Sequence, residues 1–343
     1  MKKRIPAEWE QHESTLIAWP HNKADWPGKF TPITWVYADI TAKLSYSEKV
    51  RIVVQDQKQK EQVQKALSKV EYDSDNVVFH VIPTDRSWMR DSAPIWIKEG
   101  NTPVPLLFRF NAWAKYDNYK QDEKLGTKLL SQMKVKGRKA ESLKKHVVLE
   151  GGAIDYNGSG LLLTTEECLL DPLQQVRNPG WGKKEYEQMF AEQLGIKKVI
   201  WLDKGIAGDD THGHVDDLAR FVNENTILLC SESDSSDENY DLLQENMERL
   251  KGEKNLKGES FEIIPLPMPD PVVFDGMRLP ASYANFYIGN QTVIVPTFND
   301  AKDYIALGIL RECFPDRKVV GIHSLDLVWG LGTLHCLTHE IPA

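Results

Sequence analysis

The sequence predicts a mixed α/β fold, and three observations carry that prediction. Short β-rich runs alternate with amphipathic helical patterns from one end of the 343 residues to the other. The strand–helix units recur at roughly 60 to 70 residues, although no residue-level repeat aligns. No Pro/Gly/Ser-rich linker or low-complexity tract interrupts the alternation, so one domain over residues 1–343 is expected.

The elements follow in order. A strand over 15–19 is stopped by Pro20, and a helix over 33–44 follows, because Ile33, Val36, Tyr37, Ile40 and Leu44 recur near helical spacing. A strand over 50–54, a helix over 58–70 and a strand over 77–82 continue the theme. It returns as a helix over 122–133, a strand over 146–149, a helix over 184–194 and a strand over 198–202. A strand over 226–230, a helix over 240–250 and a strand over 261–265 make the next round. The last has strands over 284–288 and 292–296, a helix over 301–313 and a strand over 318–322.

Composition narrows the class. Hydrophobic residues make up 41% and charged residues 27%, enough for a sizeable core and against wholesale disorder. The net charge of −8 disfavours nucleic acid and anionic membranes as partners and mildly favours a small cation. No apolar run approaches the roughly 20 residues of a membrane span, and the basic N-terminus lacks the apolar stretch of a signal peptide. Four scattered cysteines do not make a disulfide framework. A cytoplasmic, reducing environment is expected.

Cys336 is the most informative position. It ends Gly330-Leu331-Gly332-Thr333-Leu334-His335-Cys336, where the glycines let the backbone bend and a ligand approach closely. A free cysteine is usually a small buried hydrophobe, and Cys168, Cys230 and Cys313 read that way. Cys336 differs because acidic clusters upstream supply what a reactive thiol needs. Catalysis requires the thiolate, so an imidazolium or a bound cation is expected to lower its pKa.

Asp209-Asp210-Thr211-His212-Gly213-His214-Val215-Asp216-Asp217 is the richest stretch. If 214–216 is extended, His214 and Asp216 share one face. Asp216 leads into the apolar run from Leu218 to Val222, where a carboxylate needs a donor network or a charged ligand. Asp209 and Asp217 read as solvated loop acids. The spacing of His212, His214 and Asp216 resembles the metal-binding run of metallo-β-lactamase-type hydrolases. Asp217 stands where that pattern places a histidine, and the remaining ligands are not evident, so no metal is expected.

Trp88-Met89-Arg90-Asp91 has two readings. One is a structural Arg–Asp contact beside a packed tryptophan. In the other, Asp91 receives a guanidinium, whose planar fork of donors suits a carboxylate, and Trp88 walls the cation. Glu150, before Gly151-Gly152, is either exposed on a turn or buried where it orients His214. A thiol, an imidazole and several carboxylates are the parts for nucleophilic attack on a planar cationic carbon, which points to a guanidine.

Taken together these motifs resemble the agmatine deiminase family, which also contains the bacterial peptidylarginine deiminases. The likeness runs through Pro6-Ala7-Glu8-Trp9, Trp19-Pro20, Phe110-Asn111-Ala112-Trp113, Glu150-Gly151-Gly152, Thr164-Thr165-Glu166-Glu167-Cys168, Arg177-Asn178-Pro179, Gly213-His214-Val215-Asp216 and His335-Cys336-Leu337-Thr338. The resemblance implies a five-bladed α/β propeller (pentein) with pseudo-fivefold repeats and a central active site. It places the nucleophile on Cys336, the acid/base on His214 and the guanidinium-binding carboxylates on Asp91 and Asp216. It puts the His-orienting acid on Glu150 and substrate-lining positions on Trp88 and Asp210. The implied reaction is hydrolysis of agmatine to N-carbamoylputrescine and ammonia through an amidino-thioether, as in polyamine biosynthesis. Another guanidino compound, peptidyl-arginine, or a silent guanidino-binding protein are the alternatives. No cofactor is implied, and a homo-oligomer is left open. The family pattern is altered at Ala93, Ala114, His212, Trp329 and Leu331.

Overall fold

The computed structural model describes residues 3–343, a mixed α/β architecture with five sheets of three or four strands and two small two-stranded ones. Each of the five larger sheets combines an antiparallel pair with a parallel pair joined by a crossover helix. The simplest contains Asp155–Tyr156, antiparallel to Leu161–Thr165, which pairs parallel with Lys198–Leu202. Helix Lys183–Leu194 makes the crossover. Ala219–Phe221, Thr226–Ser231 and Glu262–Pro267 repeat this pattern around helix Asn239–Gly252. So do Tyr287–Ile288, Thr292–Thr297 and Lys318–His323 around helix Lys302–Cys313.

The other two sheets are enlarged versions. Ile95–Glu99, Thr102–Leu107 and Arg138–Lys139, with helix Asp122–Met133, gain Lys3–Arg4 as an extra edge. His12–Ala18, Lys49–Val54 and Val77–Val81, crossed by helices Phe30–Ser45 and Gln57–Leu67, take their antiparallel partner from His339–Pro342. The last strand of the chain thus completes the sheet that holds the first long one. Five copies of one unit meet the expectation of a five-bladed α/β fold.

The reason is readable residue by residue. The middle strands lie between neighbouring layers and are apolar on both faces, as in Leu161–Thr165, where every residue is buried. Helices present one apolar stripe: Gln57–Leu67 buries Val63 and Leu67, and its N-cap Asp56 accepts the Gln59 N–H. Each fully buried Leu, Ile or Val contributes about 1.5–3 kcal/mol, so these interfaces supply most of the cohesion.

What positions the site is the segment just before the antiparallel strand of each unit. Met89–Ser92 precedes Ile95–Glu99, Gly151–Ala153 precedes Asp155–Tyr156, and Val215–Asp217 precedes Ala219–Phe221. A turn closed by Asn285 N–H on the Ser282 carbonyl precedes Tyr287–Ile288, and Leu334–Leu337 precedes His339–Pro342. One segment per sheet delivers side chains to a common centre, the one around Val215–Asp217 contributing both His214 and Asp216. No helix of the described residues is long and apolar enough to cross a membrane.

Candidate active site

Cys336 lies on the short helix Leu334–Leu337 and is 7% exposed. Asn285 organises it: the side-chain amide nitrogen lies 3.1 Å from Sγ. Asn285 Oδ1 accepts the Thr333 hydroxyl at 2.8 Å and the His335 and Cys336 N–H groups at 2.9 and 3.3 Å. One buried amide therefore caps the turn and faces the sulfur. Gly332 leaves the approach open, since a Cβ there would sit 2.9 Å from the Trp88 ring and 3.2 Å from Sγ.

Around the sulfur stand carboxylates and an imidazole. Asp216 Oδ2 is 3.8 Å from Sγ, and His214 Nδ1 is 3.9 Å from both Asp216 Oδ1 and Asp91 Oδ1. Asp91 accepts the Trp113 indole N–H at 2.9 Å and the Gly152 N–H at 3.0 Å. A Cβ on Gly152 would lie 2.5 Å from His214 Nδ1 and 2.9 Å from Asp91, so only glycine lets these groups converge. Glu150, fully buried, is 3.9 Å from His214 Nε2 and bonds the Arg177 guanidinium at 3.2 Å. The five residues Cys336, His214, Asp91, Asp216 and Glu150 are brought together.

Their charges are strongly coupled to burial. Burial pushes the Cys336 thiol well above its ordinary pKa, and Asp216, Asp217 and Asp91 push the same way. Burial would favour a neutral His214, but Asp91, the Cys168 thiol and Glu150 overcome it and raise its pKa well above the usual value. Glu150 is held at about 2 against the cost of burial, chiefly by Arg177 and then by His214. Without a cationic ligand the site therefore rests as thiol plus imidazolium. Of the two groups expected to lower the thiol pKa, an imidazolium or a bound cation, the imidazolium does not do so in the free site: burial and three acids raise it.

The site opens into a pocket of about 340 Å³ lined by Trp88, Trp113, Asp91, Asp210 and Cys336. Trp88 packs on Trp26 with ring centroids 5.5 Å apart, which fixes it as a rigid wall. Asp210 lies at the mouth, paired to Lys115 and accepting the Tyr116 hydroxyl at 2.7 Å. Arg86, the other cation there, is spent on Asp25 at 2.7 Å.

Several readings need correction. Residues 215–217 form a turn of 3-10 helix, not a strand; His214 and Asp216 converge because the chain curls there. Asp209 is not a solvated acid, since it accepts the N–H groups of Thr211, Gly213 and His214 at 2.8, 2.7 and 3.0 Å. Asp217 is 2% exposed, and burial with Asp216 and Asp209 nearby raises its pKa well above normal. Cys168 is not in purely apolar surroundings: with Glu150 and His214 it forms one cluster of potential ligand atoms, Asp216, Asp217 and Cys336 forming the other. His212 belongs to neither, because its ring bonds Asp171 at 2.9 Å, which splits the metal-type triplet. Asn285, Arg177 and Trp113 also belong to the site, and the sequence signals for two of them are Arg177-Asn178-Pro179 and the motif ending in Trp113.

A deiminase-type centre is the class this fold and site define. The chain belongs to the Porphyromonas-type peptidyl-arginine deiminase family, whose profile matches residues 4–342. It is 31% identical to the agmatine deiminase of Ectopseudomonas mendocina, over 99% of this chain and 95% of that one. A cysteine-to-serine variant of C. jejuni agmatine deiminase with substrate bound superposes with a TM-score of 0.89 at 32% identity, covering 99% of this chain and 96% of that one. The agmatine deiminase of Enterococcus faecalis gives 0.91 at 28% identity, covering 99% and 96%.

Proposed function

We propose that this protein hydrolyses agmatine to N-carbamoylputrescine and ammonia through a covalent intermediate on Cys336. The observation that carries the reading is the approach of Asp216 to within 3.8 Å of the Cys336 sulfur, with His214 3.9 Å from both Asp216 and Asp91. A thiol and a carboxylate line one cavity, with a second carboxylate and an imidazolium within 4 Å of them, a set that suits a guanidinium.

The guanidinium enters beside Trp88, and Asp91 and Asp216 orient its carbon toward sulfur. Its positive charge offsets the acids that keep the thiol protonated; because His214 already carries its proton, the thiol proton passes to solvent and the thiolate forms. Sulfur adds to the guanidinium carbon. His214 then protonates the departing nitrogen, ammonia leaves, and an amidino-thioether remains. Neutral His214 takes a proton from water, which attacks the same carbon and expels the thiolate, leaving a ureido group. Glu150, anchored by Arg177, holds the imidazole in place. The substrate carries its own electrophilic charge, so the steps call on neither metal nor organic cofactor.

Agmatine is favoured over free arginine because Lys115 and Arg86 at the mouth are already paired to Asp210 and Asp25, leaving no unpaired cation there among the described residues for an α-carboxylate. The assembled residues all come from one chain, compatible with a single-domain cytoplasmic enzyme that needs no second copy for chemistry. Ammonia release from agmatine, arginine and a blocked arginyl peptide, with Cys336→Ala as control, tests the reading. Fastest turnover of agmatine is expected. Preference for the peptide would replace the substrate, and binding without release in the unsubstituted protein would replace the activity.

A further inference from the structure

Behind the site lies a second buried ionic layer, joined to it through His335. The His335 ring bonds Asp216 Oδ2 through Nδ1 at 2.7 Å and Glu8 Oε2 through Nε2 at 2.7 Å. A neutral imidazole has a single N–H. Two carboxylates at this distance therefore hold either an imidazolium between two ionised acids or a neutral ring beside one protonated acid.

The surroundings of Glu8 decide between these. Arg90 lies 3.2 Å from Oε2, Arg220 lies 3.1 Å from Oε1, and the Ile288 N–H donates to Oε1 at 2.8 Å. Burial opposes ionisation, but Arg220, His335 and Arg90 outweigh it and hold the Glu8 pKa well below the usual range. Glu8 is thus a fixed anion, and the proton in question is shared by His335 and Asp216 alone.

We propose that Glu8 is a positioning residue that keeps His335 as an imidazolium, and thereby keeps Asp216 ionised with Oδ1 free for the guanidinium. Asp216 Oδ1 is buried and without a partner, which is what a ligand-facing oxygen requires. The proposal rests on the guanidinium reading of Asp216 given above. Around His335 the charged and titratable neighbours are Glu8, Asp216, Arg90 and His339. Around Asp216 they are His214, Arg220, Asp91, Asp217 and Cys336. Among the acids near His335, Glu8 is the one bonded to its ring from outside the catalytic cluster. If Glu8 loses its charge, Arg90 and Arg220 repel the imidazolium, and the proton passes to Asp216. A protonated Asp216 cannot offer a charge-assisted bond, until rising pH removes that proton.

The test is the pH profile of kcat/KM for agmatine in the wild type, Glu8→Gln and Glu8→Asp. Glu8→Gln is expected to raise KM about tenfold or more at neutral pH, with recovery as pH rises, so the acidic limb moves upward. Glu8→Asp is expected to restore most of the wild-type limb. A folded Glu8→Gln protein with wild-type KM and an unmoved limb would overturn the proposal. Should that variant not fold, ¹⁵N shifts of the His335 ring in the unsubstituted protein decide: an imidazolium near neutral pH supports the proposal and a neutral ring refutes it. The ring is read without substrate, so a wild type that ignores agmatine would overturn the agmatine reading and leave the ring result standing.

Discussion

The side-chain amide nitrogen of Asn285 stands 3.1 Å from the sulfur of Cys336, while the oxygen of the same amide binds the backbone of the turn that carries that sulfur. Asn285→Ala removes both functions. We expect kcat to fall by roughly 10- to 100-fold, since a hydrogen bond to a charged group is lost. The turn loses its cap at about 1 kcal/mol. Steady-state kinetics together with urea denaturation check this; unchanged kcat would remove Asn285 from the site.

Cys336 is surrounded by acids, and the sign of its pH response follows. Burial and Asp216, Asp217 and Asp91 raise the thiol pKa well above normal, so in the free protein alkylation at Cys336 is expected to stay slow at neutral pH and rise only in alkali. A guanidinium ligand that does not react cancels the acids' charge and lowers that pKa. Thiolate absorbance, taken as the difference from Cys336→Ser, is therefore expected to appear at lower pH when such a ligand is bound. A shift in the opposite direction would contradict the role given to the carboxylates.

Gly152 is where Asp91, Asp216 and His214 meet. In Gly152→Ala the new Cβ would sit 2.5 Å from His214 Nδ1 and 3.1 Å from Asp216. We expect a loss of about 100-fold or more in kcat/KM, with overpacking costing only about 1–3 kcal/mol. Kinetics and thermal melting, measured on the same preparation, separate the two effects.

Arg177 and Glu150 form a wholly buried pair. Arg177→Met removes the chief counter-charge of a buried carboxylate and is expected to cost about 3 kcal/mol at neutral pH. The pH sign is fixed by Glu150, whose pKa is lowered from 4.5 to about 2 in the folded state. A depressed carboxylate adds stability above its unfolded pKa and loses it as pH falls through the folded one. The wild type is thus expected to lose this contribution between about pH 4.5 and 2, with little of that loss in Arg177→Met. Urea midpoints across that range provide the measurement.

Periodicity exposed most of the scaffold. Helix 122–133 and strand 198–202 have the expected limits, and the other helices of eleven or more residues lie within three residues of theirs, because one buried stripe leaves a 3.6-residue signature. The short helices Met89–Ser92, Glu166–Leu170 and Leu334–Leu337 leave none. The signal failed where strands are very short or apolar on both faces. Leu161–Thr165 and the hairpin of Ile95–Glu99 with Thr102–Leu107 went unread, and the strand expected at 146–149 is mostly irregular backbone. The strand expected at 284–288 is confined to Tyr287–Ile288, since Asn285 is drawn into the site turn. Reacting groups stood out by their chemistry. Their supports did not: Asn285, Arg177 and Glu8 act through contacts across 51, 27 and 327 positions, which no local pattern encodes.

The most direct measurement is the mass of the protein quenched with acid during turnover of agmatine, followed by peptide mapping. An amidino adduct confined to the peptide bearing Cys336, absent from Cys336→Ser, is the predicted result. Turnover that proceeds with no adduct, or persists in Cys336→Ser, would contradict covalent catalysis at this sulfur.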